Sequence, residues 1–334
     1  MKQTSFKYSQ LYLVVLLGSC IVALLWFAVW RFHDARDLWL MRGYTPPTAI
    51  EAIAQNTTMT TYGRRLFYVN HPQILSGAAF TKQCTIHAEK SIVLGCYKSG
   101  DNGIAIYNVN DTRLQGVKEV TAAHEMLHAG YDRLSNTERK RIDTLLQAYA
   151  KSSLRDDRIN DILTLYRSAE PGQLANEMHS IFATELGTLN PELEAYYRRY
   201  FTNRQKVVAL ADAYQAEFTS RRQRVADFDT DLQQQKIVIS SQQDTLAQMR
   251  TDIEQLGAQM EAQKAQGDIR TYNANVDTYN QQVQRYSELL QILRQKITAY
   301  NTTVEARNTL AFEERSLMQA LSPKTLPAVP STTP

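Results

Sequence analysis

The sequence predicts an α+β domain with a small antiparallel sheet, preceded by one transmembrane helix and followed by an all-α antiparallel coiled-coil hairpin. Three observations carry this prediction. Leu11 to Trp30 contains no charged residue. Strand-like runs between residues 65 and 109 give way to helical periodicity from Val117 to Leu186. From there to Pro323 the only proline is Pro191, and beyond it apolar residues recur in heptads. The 334 residues suffice for two ordinary domains, and their 43% hydrophobic content contrasts with a polar mean hydropathy of −0.39. Apolar residues are therefore concentrated in segments. A formal net charge of +3 with no long basic block gives no footprint for nucleic acid, which needs a concentrated cationic surface.

Residues 1–10 form a short polar tail carrying Lys2 and Lys7. The segment 11–30 has the length that spans about 30 Å of hydrocarbon as a helix. Tyr12, Trp26 and Trp30 stand near its ends, where amphipathic rings favour the interface. A cleaved signal peptide would be shorter and end in small residues, which Trp26 to Trp30 do not supply. Leu17-Gly18-Ser19-Cys20 resembles a lipoprotein cleavage box, but ten further apolar residues follow it. The reading is thus a single-pass anchor in a cell membrane. Lys2 and Lys7 on one side face Arg31, Arg36 and Arg42 on the other, so charge does not set the orientation. Cys84 and Cys96 are the only cysteines outside the apolar segment. As a disulfide they would place the C-terminal part in an oxidising, extracytoplasmic space; their alternative is two buried free thiols.

Residues 31–60, with Pro46-Pro47 and Asn56-Thr57-Thr58, read as a juxtamembrane linker. Residues 61–202 read as the α+β domain. Strands are expected at Arg65–Val69, Ser91–Tyr97 and Gly103–Val109, the last two joined by the turn Lys98-Ser99-Gly100-Asp101-Asn102. Helices are expected from Val117, from Ser135 with Glu138 completing a capping box, near Ile159–Arg167, and from Gln173 to Leu186. In residues 203–318, one arm repeats Phe218, Val225, Leu232, Ile239, Leu246, Ile253 and Met260 every seven positions. The other repeats Val276, Val283, Leu290, Ile297 and Val304, with Tyr272, Tyr279, Tyr286, Leu293 and Tyr300 between them. Two arms of this kind around Gly267 predict a hairpin folding on itself, against the rival of one long helix dimerising with another chain. The coiled coil offers a face for a protein partner. Residues 319–334, rich in Pro, Ser and Thr, read as a disordered tail.

The densest chemistry lies in His124-Glu125-Met126-Leu127-His128. On a helix, positions i and i+4 share a face, so both imidazoles can meet one metal. Glu125 then stands beside the water that the metal activates and can carry its proton to a leaving group. The uncharged flank Ala122, Ala123, Met126, Leu127 and Ala129 suits a buried metal-binding helix.

With these residues the chain resembles the zincin metallopeptidases, which bind zinc and hydrolyse peptide or protein substrates. The resemblance covers roughly residues 90–190. Leu134 stands where the longer metzincin motif carries a third histidine, which excludes that subclass. Asn176-Glu177-Met178-His179-Ser180 is similar to the segment from which gluzincins draw a glutamate ligand. The resemblance thus implies Glu177 as the third ligand, with Glu185 and His179 as competitors. Glu177, Ser180 and Thr184 share one helical face, and a small Ser180 would let the two helices approach closely. Ile181 occupies the position where such enzymes carry an aspartate. Asp132 could orient an imidazole and Tyr131 could donate to an oxyanion, or both belong to an ordinary exposed helix end. The strand Ile104–Val109 is expected as an edge for an extended substrate. The rival to hydrolysis is a non-catalytic, membrane-tethered scaffold in which the zincin-like domain only binds.

Overall fold

The computed structural model describes residues 15, 16, 18, 19, 21, 22, 32–84, 93–100 and 103–323. The expected span 11–30 and the tail beyond 323 lie mostly or wholly outside them. Among the described residues no helix is long and apolar enough to cross a membrane. The chain divides into two compact units, Met1–Tyr214 with Ala320–Pro334, and Gln215–Gln319.

The first unit opens with α1 (Phe32–Leu40), α2 (Thr48–Asn56) and α3 (Thr61–Tyr68). The stretch expected as a linker therefore carries two helices. Pro47 caps α2, where its fixed φ suits a helix start, and Ile50, Ile53 and Ala54 form an i, i+3, i+4 face buried in the core. The strand expected at Arg65–Val69 is also helical. A short apolar run does not distinguish strand from helix, and here the Thr60 hydroxyl accepts from the Gly63 N–H to start α3. Gly63, Leu66 and Phe67 then share the buried face. A Cβ on Gly63 would lie 2.6 Å from the Tyr200 carbonyl oxygen, so that close approach requires glycine.

After α3 come β1 (Gln73–Leu75), α4 (Gly77–Gln83), β2 (Gly95–Lys98) and β3 (Gly103–Tyr107). The sheet is mixed, not wholly antiparallel, with order β1-β3-β2. β2 pairs antiparallel to β3 through Gly95↔Ile106 and Lys98↔Gly103, as the expected hairpin. β1 pairs parallel to β3 through Gln73↔Ala105 and Leu75↔Tyr107, and three residues are too few to carry a period in the sequence. β3 is consequently central and buried at Ile104, Ala105 and Ile106, so the edge strands are β1 and β2 instead. Cys84, at the end of α4, and Cys96 in β2 are joined by a disulfide.

A short 3-10 turn (Thr112–Leu114) leads to α5 (Val117–Asp132), α6 (Asn136–Ser152), α7 (Asp157–Ala169), α8 (Leu174–Glu185) and α9 (Pro191–Tyr197). The Ser135 hydroxyl accepts from the Glu138 N–H, which realises half of the expected capping box. Asp156 and Asn190 cap α7 and α9 in the same way. Helix α5 packs against α8 on one side and against β2 and β3 on another. Around it lies one apolar core that includes Leu66, Phe67, Met126, Leu127, Phe182 and Tyr197.

The second unit is a helical hairpin built from α10 (Arg204–Ala265) from Gln215 onward and from α11 (Ile269–Ala320) up to Gln319. Gly267 takes the left-handed φ of +78° that reverses the chain. Cross-pairs run antiparallel: Arg221 with Glu313, Asp229 with Arg307, Gln235 with Thr303 and, near the tip, Gln263 with Asn275. Leu246, Met260 and Leu293 are buried in the seam. Val283 and Ile297, expected within it, are 37% and 36% exposed and lie at its margin. Val276, Leu290 and Val304 of the same row are partly buried, so the row as a whole stays at the seam while these two members are more open to solvent.

Candidate metal centre

Helix α5 presents His124 and His128 one turn apart, their rings 4.7 Å between centroids and nearly perpendicular. Glu177, in the first turn of α8, reaches across. Its Oε2 lies 3.4 Å from His124 Nε2 and its Oε1 lies 3.6 Å from His128 Nε2. One ligand atom from each of the three falls within 4.8 Å of the others. Atoms sharing a tetrahedral zinc at its usual bond lengths stand roughly 3.3 Å apart, which the two His–Glu separations approach, so the group could hold a metal ion.

Where α8 meets α5, Ser180 is fully buried with its hydroxyl 3.3 Å from His128 Nδ1. The stronger contact to that nitrogen is Asn176 Oδ1 at 2.9 Å. An amide oxygen only accepts, so Nδ1 carries a proton, and Nε2 is the nitrogen that faces Glu177. A phenol closes the arrangement: Tyr166 of α7 donates to Glu177. Burial would push the Glu177 carboxyl up, but hydrogen bonding and attraction from His124 and His128, with the Tyr166 phenol, hold it below its ordinary value. The Tyr166 hydroxyl is pushed up, first by burial and then by the charges of Glu177 and Glu125.

Glu125 is 6% exposed and lies between α5 and the edge strand β2. Its carboxyl is pushed up to about 7, chiefly by burial and also by Glu177, while His128 and a hydrogen bond from the Tyr97 backbone N–H act the other way. Gly95 makes this contact sterically possible. A Cβ there would stand 2.6 Å from Thr121 Cγ2 and 2.7 Å from Glu125 Oε1.

The other candidates have different partners. Glu185 pairs with Arg158 at 2.8 Å. His179 is fully buried, with Nε2 2.9 Å from the Tyr196 hydroxyl and its ring among Tyr131, Tyr196, Tyr197 and Tyr200. Burial, followed by the charges of His128 and His124, holds it down to about 3, so it is a neutral member of an aromatic cluster. The Tyr131 hydroxyl donates to Asp143 at 2.7 Å. Asp132 is exposed and accepts a hydrogen bond from Tyr97, whereas Asn176 orients His128.

Asn176 and Tyr166 have roles that the sequence did not single out. Asn176 adjoins Glu177, and its type alone signalled a polar contact. Tyr166 lies eleven positions before Glu177 across the Pro171-Gly172 break, where no periodicity links it to the site. Comparison of the chain with protein families, with curated proteins and with solved structures found no match.

Proposed function

We propose that this chain is a membrane-anchored zinc metallopeptidase of the HExxH kind, similar to the gluzincins. The observation that carries the reading is the convergence of His124 Nε2, His128 Nε2 and the Glu177 carboxylate, with Glu125 buried beside them. Zinc held by His124, His128 and Glu177 would supply Lewis acidity toward a scissile carbonyl and acidify water. Glu125 takes the proton of the attacking water and returns it to the leaving amine. Burial raises the proton affinity of this carboxyl, and the positive charge of a bound metal would lower it again, so the same group can take a proton and give it back. Asn176 keeps His128 in one tautomer and orientation. The β2 edge next to Glu125 offers backbone groups to an extended peptide without demanding a sequence, in place of the strand Ile104–Val109. The apolar run Leu11–Trp30 supports the anchor, and the Cys84–Cys96 disulfide supports an extracytoplasmic position for the domain.

Comparing wild type with Glu125→Gln tests the mechanism. The variant keeps its zinc and fold but loses hydrolysis of unstructured protein substrates by orders of magnitude. Equal turnover by the two proteins refutes Glu125 as the base. A second reading, a tethered scaffold that binds through its hairpin, is favoured by the exposed apolar residues Ile237, Val238 and Ile292 on α10 and α11. It requires that no hydrolysis be found in either protein.

A further inference from the structure

Helix α1 carries a contradiction if it is a mere spacer. Asp37 is 1% exposed, while its neighbours Leu38 and Trp39 are 76% and 72% exposed. A charged residue is buried and two large apolar ones face out, the reverse of a solvated linker helix.

The buried side is a built attachment. Arg133, directly after α5, holds Asp37 with two nearly parallel bonds of 2.7 and 2.8 Å, and Arg65 Nε stands 3.5 Å away. Two guanidinium groups compensate a carboxylate that burial would otherwise penalise heavily. Downstream, the Leu40 carbonyl meets His71 Nε2 at 3.1 Å, and Tyr44 stacks on the His71 ring at 4.7 Å. The stretch from Asp37 to Tyr44 is thus fixed to the domain that carries the metal centre. Arg133 lies five positions beyond His128, about 7.5 Å along the helix axis.

The exposed side has an evident occupant. The uncharged run ends at Trp30; the helix from Phe32 to Leu38 advances about 9 Å, and the two steps before it add at most about 7 Å. Leu38 and Trp39 therefore cannot stand far from the hydrocarbon boundary. A Trp beside an apolar residue suits the headgroup layer, and exposed Arg42 adds a cation for anionic headgroups.

We propose that α1 lies along the membrane surface with Leu38 and Trp39 seated in the headgroup layer, so that Asp37 and Arg133 hold the metal-binding helix α5 at a fixed height above the bilayer. This rests on the membrane-anchor part of the reading above. It goes further in assigning the domain a defined lipid-facing side. Substrates would be segments presented close to the membrane surface.

The test uses the full chain reconstituted in vesicles of phosphatidylcholine with phosphatidylglycerol. Cys20→Ser removes the free thiol, and a nitroxide is attached in turn at Leu38→Cys, Trp39→Cys and, as a water-exposed control, Lys151→Cys. All three labelled positions are exposed, so folding is preserved. Flotation with the vesicles reports the anchor separately. The expected result is co-flotation, with collision rates at 38 and 39 shifted several-fold toward lipid-dissolved oxygen and away from a water-soluble nickel chelate relative to 151. Co-flotation with 38 and 39 as open to the chelate as 151 overturns the surface-lying helix while leaving the anchor intact. Failure to float overturns both.

Discussion

At the scale of single residues, the site depends on groups that hold other groups. Asn176 sets the proton of His128 on Nδ1 and so leaves Nε2 free to bind metal. Asn176→Ala should weaken zinc binding about 10- to 100-fold while leaving the fold intact, as loss of such orienting partners does. Competition against a chelator measures this; an unchanged affinity would mean that Ser180 alone suffices. The Glu125 carboxyl makes a separate prediction for metal-free protein. Its value rises from 4.5 to about 7 on folding, so the folded state binds the proton more tightly. That contribution is fully present below pH ~4.5 and is lost as pH rises through about 7, a change on the order of 3 kcal/mol. Urea denaturation of metal-free wild type and Glu125→Gln at pH 4.5 and 8 reads the difference. The variant should gain stability relative to wild type as pH rises, and a pH-independent difference would contradict it. His124, Glu125 and His128 were legible because their i, i+4 spacing is itself the chemistry. Tyr166 was not, because only the packing of α7 brings it to Glu177.

At the scale of elements, the edge strand β2 is pressed onto α5 at Gly95, and only the missing side chain permits it. Gly95→Ala should push β2 away from Thr121 or turn the Glu125 carboxylate. Overpacking of this kind destabilises by about 1–3 kcal/mol. Activity should fall further than stability alone explains, with zinc retained, because the base and not the ligands is displaced. Thermal denaturation with zinc and activity assays decides; full activity would mean that the strand yields without disturbing Glu125. Elements with their own strong signals were read correctly from the sequence: the capped α6, the β2–β3 hairpin and the heptad arms around Gly267. Those that failed lacked such a signal. Arg65–Val69 is a short apolar run whose helical state is decided by Thr60 and by contact with Tyr200. The three-residue β1 has too little length for any period. Val283 and Ile297 share a heptad row with the partly buried Val276, Leu290 and Val304, and the heptad alone does not tell which members lie at the seam's margin.

At the scale of the whole molecule, the sequence separates a domain that can carry chemistry from a hairpin that can carry contacts, and the chain divides into two compact units between Tyr214 and Gln215. The second unit begins inside α10, so no helix end marks the boundary in the sequence. The stretch 31–60 was the least legible part at this scale. Its Pro-Pro and polar run signal a linker, yet Ile50, Ile53 and Asp37 are buried by residues far along the chain. The hydrolytic reading depends on the metal centre, and metal analysis of the intact purified chain addresses it most directly. About one zinc per chain is expected, lost in His124→Ala and strongly reduced in Glu177→Ala. Wild-type protein without zinc after mild purification, or Glu177→Ala retaining a full complement, would contradict it.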